Sequence, residues 1–281
     1  MSVQVKEKLA ACFVWGAALL TVGALVVIIG YIMIQGLDRI SISFLLENPR
    51  RMGSEGGIFS PLLGTIYFTL VTMLLAIPIG VGAAIYLTEF TAEGFFVRVI
   101  RFFTDALAGI PSIVIGLFGF AFFVVLLRPL TGGWSILSAS LTAFCMILPI
   151  MIRVSEEALH AIPASIREGS LALGVSKWDT VLHVVLPGAL PGILTAALLG
   201  IGRVIGETAP LLLTLGGSLL VPESIFSPSR TLSMHLYLVA METGEFSIAF
   251  ATAAVLVIVI LLLNLGGYYL MQILGRRIRG A

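Results

Sequence analysis

"ALPGILTAALLGIGRVIGETAPLLLTL", residues 189–215, is long and apolar enough to cross a lipid bilayer, yet it carries Arg203 and Glu207. A crossing helix needs about 20 apolar residues to traverse a hydrocarbon core of about 30 Å. Five further stretches meet that requirement, at 11–35, 61–87, 106–127, 133–152 and 247–273. Irregular backbone must stay out of lipid, and the sequence has no strand-like alternation of the kind a membrane barrel needs. Six transmembrane helices in an all-α membrane protein are therefore predicted. Composition agrees: of 281 residues, 59% are hydrophobic and 11% charged, more apolar surface than one soluble core of this size buries. No polar block is long enough to fold by itself. The chain reads as a first helix with an external loop (1–60), a transmembrane domain (61–275) and a basic cytoplasmic tail (276–281).

The net charge of +1 says little about partners, and no dense basic stripe interleaved with aromatics points to nucleic acid. The distribution of charge says more. With the N-terminus in the cytoplasm, that side collects Lys6, Lys8, Arg98, Arg101, Arg153, Arg167, Lys177, Arg276, Arg277 and Arg279, against Arg39, Arg50, Arg51, Arg128 and Arg230 opposite. Ten against five favours both termini in the cytoplasm. The apolar run from Leu9 to Leu37 is too long for a cleavable signal and is expected to stay as the first helix. Cys12 and Cys145 fall in predicted helices and read as apolar packing residues. His160, His183 and His235 are scattered, suggest no metal site, and read as ordinary loop or interface residues.

The longest loop on the predicted inner side is 153–188, and its centre reads IPASIREGSLALGVSKWDTVLHVVLP (162–187). Pro163 suits a first helical position. Ser165 with Glu168, and Ser176 with Asp179, have the spacing of capping pairs, and Gly174 can take the left-handed conformation that closes a helix. Two short helices joined at a glycine hinge are predicted, with Leu171, Leu173, Val175, Trp178 and Val181 apolar on an aqueous side. Such a knuckle either lies on lipid, as Trp178 and Arg167 would suit, or docks a partner. The chain has no Walker A pattern with which to hold ATP itself. Gly200, Gly202 and Gly206 have the wrong spacing for a dinucleotide fingerprint, and Gly202 and Gly206 are expected to serve close helix packing.

Arg203 and Glu207, four apart, would share one face of a continuous helix and partly neutralise each other. An arginine or acidic residue at mid-helix costs about 2.5–3.5 kcal/mol on insertion scales. Two readings follow. The pair is a self-satisfied packing contact, or it serves an anion, for which the guanidinium offers a fork of donors that a lysine lacks. Apolar replacement of a buried pair is often neutral or stabilising, so retention of the charges favours use. Thr208 either donates to the same anion or bonds back within the helix, and Pro210 either breaks the helix or only kinks it.

Three sets of residues carry a resemblance. Glu168, Gly169 and Ser170, then Gly174, then Val184, Leu186 and Pro187 have the order and spacing of the cytoplasmic EAA loop in permease subunits of binding-protein-dependent ABC importers. The departures are Gly169 and Ser170 where alanines are usual and Val184 where isoleucine is usual. Gly202, Arg203, Gly206, Glu207, Thr208, Ala209, Pro210 and Leu211 resemble the fifth-span run of phosphate permeases of the Pst system, PstA type. GGIFSPLLGTIYFT (56–69) and LAGIPSIVIGLFGF (107–120) are similar to that family's second and third spans.

The resemblance implies the type I importer permease architecture, MetI-like. It further implies that the loop, through Glu168, Gly169, Ser170, Gly174, Leu186 and Pro187, inserts into a groove on a separate ATPase subunit. Phosphate would then pass Arg203, Glu207 and Thr208. The implied partners are a second permease of PstC type as heterodimer, PstB-type ATPase subunits that bind the ATP, and a PstS-type phosphate-binding protein. The implied location is the bacterial plasma membrane, with no cofactor in this chain and no catalysis by it alone. Sulfate, molybdate or phosphonate would suit the same arginine. A proton-coupled carrier using Glu207 is disfavoured by a coupling loop that needs an ATPase to engage.

Overall fold

The computed structural model describes the backbone of residues 3–92 and 94–279, and their side chains except at positions 3, 5, 6, 8, 9 and 274–279. Among the described residues, five helices are long and apolar enough to cross a membrane: Ala10–Leu37, Phe59–Phe90, Ile136–His160, Lys177–Gly206 and Phe246–Ile273. We refer to these as the first, second, fourth, fifth and sixth spans. The third is a broken pair, Phe95–Ala108 and Ser112–Leu126, bent by 102°. The basic tail at 276–281 and the charges of Lys6 and Lys8 lie outside the described side chains.

The bend corrects the single run expected at 106–127. Pro111 has no N–H to donate and disfavours helical backbone at Ile110, so the first helix stops at Ala108 and a second starts at Ser112. The segment before the bend carries Arg98, Arg101 and Asp105 among its phenylalanines, the pattern of a helix lying along an interface. It is lashed to the end of the fourth span by Arg101–Glu156 at 3.4 Å and by the ion pair of Arg153 with Asp105.

The second, fourth and fifth spans form the centre, around Phe68, Met73, Ile147, Met151, Ala196 and Val204. Their axes come close: a Cβ on Gly80 would lie 2.6 Å from Met151 Cβ. Buried hydroxyls have no water to bond, so Thr65, Thr72, Thr142 and Thr252 each donate to the carbonyl four residues earlier. The first span is peripheral. It touches the sixth through the Tyr31 and Phe250 rings, 5.6 Å apart edge to face, and exposes its other faces.

One end of the bundle carries the 161–185 loop. The opposite end carries a two-stranded hairpin, Pro49–Arg50 with Glu55–Gly56, and the short helix Leu232–Leu238. There Ser60 Oγ donates to Leu219 O at 2.6 Å and Leu232 N to Thr65 Oγ1 at 2.9 Å, fixing the returning chain on the second span. His235, expected at a loop or interface, is instead fully buried in this cap. Cys12, expected to pack, is exposed on the first span, and Cys145 is half-buried; both are free thiols.

Candidate functional site

The fifth span does not run through to residue 215. Its helix ends at Gly206, Glu207 is extended (φ −73°, ψ 136°), Thr208 follows at φ −126°, and a new short helix runs Ala209–Thr214. Pro210 sits in the first turn of that helix, where its missing N–H costs nothing, so the proline marks a true break. Ser233, reaching in from Leu232–Leu238, donates its hydroxyl to the Glu207 carbonyl at 2.6 Å and holds the extended residue in place.

Arg203 and Glu207 do pair, Nη2 to Oε1 at 3.2 Å, with side-chain exposures of 48% and 12%. The reason differs from the sequence expectation of a shared helical face. Glu207 has left the helix, and its carboxylate reaches back from the break. The break also removes the helical geometry in which Thr208 would bond back, and its hydroxyl caps neither helix. Gly202 and Gly206 were expected to serve close packing. A Cβ on either would meet nothing within 4 Å; Gly202 borders a narrow crevice against Ile260, Leu263 and Asn264 of the sixth span, whereas Gly206, like Arg203, is exposed.

Depth follows from the packing. A Cβ on Gly200 would lie 3.2 Å from Met73 Cε and 3.3 Å from Met151 Sδ. Those methionines stand near the middles of Phe59–Phe90 and Ile136–His160, so Arg203, less than one turn further on, lies near mid-depth.

At the other end of the same helix is the loop. Ala164–Ala172 ends where Gly174 adopts φ +82°, with Gly174 N bonded to Leu171 O and Val175 N to Ser170 O. This is the left-handed closure the glycine was expected to provide. Ser176 caps the next turn by accepting from Asp179 N at 3.1 Å. The turn then continues through Val181–Val185 into Leu186–Gly206, so Pro187 lies within the entry of the fifth span and the second short helix is its first turns. Ser165 is no cap: Pro163 takes the N-cap position with ψ 140°. Glu168, Gly169, Leu171, Leu173, Val175 and Trp178 are exposed, whereas Val181, expected among the apolar knuckle, is buried.

Two contacts at the loop have no counterpart in the sequence reading. Ser170 Oγ meets Thr180 Oγ1 at 2.9 Å, tying the loop helix to the start of the fifth span. Arg167 forks onto Glu89 at the end of the second span, Nε to Oε1 at 3.0 Å and Nη2 to Oε1 at 2.7 Å. The only prior signal was an acidic residue closing an apolar run in YLTEF, 86–90.

A membrane-long helix that breaks beside a charge pair, with a loop of exposed apolar residues at its other end, is the arrangement of a multi-pass membrane protein with a polar path. The comparisons specify which. Residues 76–280 match the family described as "Binding-protein-dependent transport system inner membrane component". The chain belongs to that family, the permease subunits of ABC importers. It is 36% identical to the "Probable ABC transporter permease protein YqgI" of Bacillus subtilis (strain 168), covering 96% of each chain. It is 32% identical to the "Phosphate transport system permease protein PstA" of Mycobacterium leprae (strain TN), covering 99% of this chain and 92% of the relative. Among solved structures, a permease of a bacterial alginate ABC transporter superposes with TM-score 0.69 at 13% identity, over 97% of both chains. An inward-facing form of the MetNI methionine ABC transporter gives 0.62 at 20% identity, over 75% of this chain and 93% of that one. These likenesses establish the MetI-like fold.

Proposed function

We propose that this chain is the PstA-type permease of an ATP-driven importer of inorganic phosphate in the bacterial plasma membrane, with both termini in the cytoplasm. The observation that carries the reading is the half-exposed guanidinium of Arg203 beside extended backbone near mid-depth. Lipid suits neither group, because a charge in hydrocarbon is costly and an unbonded backbone there has no partner. The exposed side of Arg203 and Gly206 therefore faces a second permease and the water-filled path between the two. A guanidinium presents paired donors that match a tetrahedral oxyanion. Glu207 occupies those donors at rest and yields them as phosphate arrives, with Thr208 free to donate. The PstA names of several relatives support phosphate as that anion.

In this reading the second subunit is of PstC type and a PstS-type binding protein delivers phosphate from outside. PstB-type ATPase subunits hold the ATP and receive the loop at Glu168, Gly169, Ser170 and Gly174, with Leu186 and Pro187 carrying motion into the fifth span. The test is uptake of labelled phosphate alongside complex recovery. Arg203→Gln should lower uptake at least about 30-fold while the complex assembles. Arg203→Gln with Glu207→Gln should stay inactive. Recovery of near-normal uptake in that double variant would make the pair a packing contact and overturn the anion path. Uptake inhibited by unlabelled sulfate or molybdate as strongly as by phosphate would overturn the substrate.

A further inference from the structure

The loop that meets the ATPase is bolted to more than the span it leads into. Arg167, on Ala164–Ala172, spends most of its fork on two other spans and the rest on the turn that leads into its own helix. Nε and Nη2 engage Glu89 at the end of the second span, Nη2 donates to Leu159 O at the end of the fourth at 2.8 Å, and Nη1 donates to Ile162 O, in the turn that follows, at 2.5 Å. The side chains are 20% and 7% exposed, so the pair is nearly desolvated. The aromatic face of Phe90 adds a second tie: its ring centroid is 5.9 Å from that of Trp178, and Lys177 Nζ stands 5.5 Å above it. Above these polar contacts, Ala84, Leu159, Val185 and Ala189 close an apolar cluster among the same three spans.

Stability alone does not account for the pair. Apolar residues of similar volume would hold the site as well or better, because each ion loses its hydration on burial. The carbonyls of Leu159 and Ile162 could be capped by water at this edge of the molecule. What an apolar contact lacks is direction. A forked guanidinium bonded through all three of its nitrogens resists both stretch and shear, and so transmits displacement of the loop helix to the second span.

That span leads to the candidate path. Glu89 is 16 residues from Met73, about 24 Å along a helix, and Met73 packs against Gly200, three residues before Arg203. The fifth span gives the loop one rigid connection to that level. The Arg167–Glu89 pair gives it another.

We propose that Arg167 and Glu89 form a strut that couples the ATPase to the membrane path, acting as positioning residues without touching the transported anion. The proposal rests on the importer reading above. The experiment uses the whole complex in proteoliposomes with its binding protein, and measures phosphate imported per ATP hydrolysed and the stimulation of hydrolysis by loaded binding protein. The variants are Glu89→Gln and the doubly apolar Arg167→Met with Glu89→Leu, which leaves no unpaired charge. We expect assembled complexes that still hydrolyse ATP, with phosphate per ATP lowered at least about fivefold and stimulation lost. A merely structural pair would not move that ratio in complexes that assemble. A doubly apolar variant with the wild-type ratio and stimulation overturns the strut; if that variant does not assemble, the same result for Glu89→Gln overturns it. A wild-type complex that imports no phosphate would count against the proposed substrate instead, and the strut would then be decided by the stimulation of hydrolysis, which needs no labelled anion.

Discussion

At the scale of single residues, His235 shows what burial does to a titrating group. It lies on Leu232–Leu238, between the fifth and sixth spans, and neither ring nitrogen has a hydrogen-bond partner among the described residues. Burial, reinforced by the nearby Arg230 guanidinium, lowers its pKa to about 3 from an ordinary value of 6.5. The unfolded chain therefore binds a proton that the folded chain refuses. Stability is fully present above pH 6.5 and declines as pH falls toward 3, by about 1.4 kcal/mol per unit inside that window. Thermal unfolding of the purified protein should show this fall, and His235→Phe should flatten it; an unchanged slope in the variant would assign the effect to other groups. This burial was not legible in the sequence, since a histidine after an apparent loop gives no local sign of the spans that close over it. Arg203 and Glu207 were legible, because four-residue spacing brings side chains together even when, as here, the helix ends between them.

At the scale of elements, the fifth span is one helix of 30 residues from Lys177 to Gly206, with the loop of the proposed ATPase contact at one end and the break at the other. Gly174 decides how the loop meets it. Its φ of +82° strains any side chain, while the space around it is empty, so substitution acts through the backbone alone. Gly174→Val should cost the loop conformation roughly 1–2 kcal/mol and reduce transport, with normal membrane insertion. Full transport with normal ATPase recovery would remove the hinge from the mechanism. Gly174→Ala should show the same effect more weakly. The hinge was readable from glycine chemistry and the Ser176–Asp179 cap. Pro187 alone left two readings open, a stop to the short helix or the start of the following span, and the unbroken run of turns from Val181 through Leu186 decides for the second.

At the scale of the whole molecule, the bundle has two unlike ends, one with the 161–185 loop tied by Arg167–Glu89, the other with a hairpin and the His235 cap. The proposed orientation puts the second end outside. Exposed Glu55 and Glu223 report it. In a background of Cys12→Ala and Cys145→Ala, Glu55→Cys and Glu223→Cys should react with an impermeant maleimide on intact cells, and reaction only in inside-out vesicles would reverse the topology. The all-helical class, five of the spans and the glycine-closed turn at Gly174 were determined by the sequence alone, since run length against bilayer thickness and helix closure are local properties. The tertiary structure alone decided what lies far apart in the chain. Ser233 holds Glu207 from 26 residues away, and Glu89 meets Arg167 across 78. Such contacts depend on how three spans pack, and packing is set by surfaces that no single segment contains.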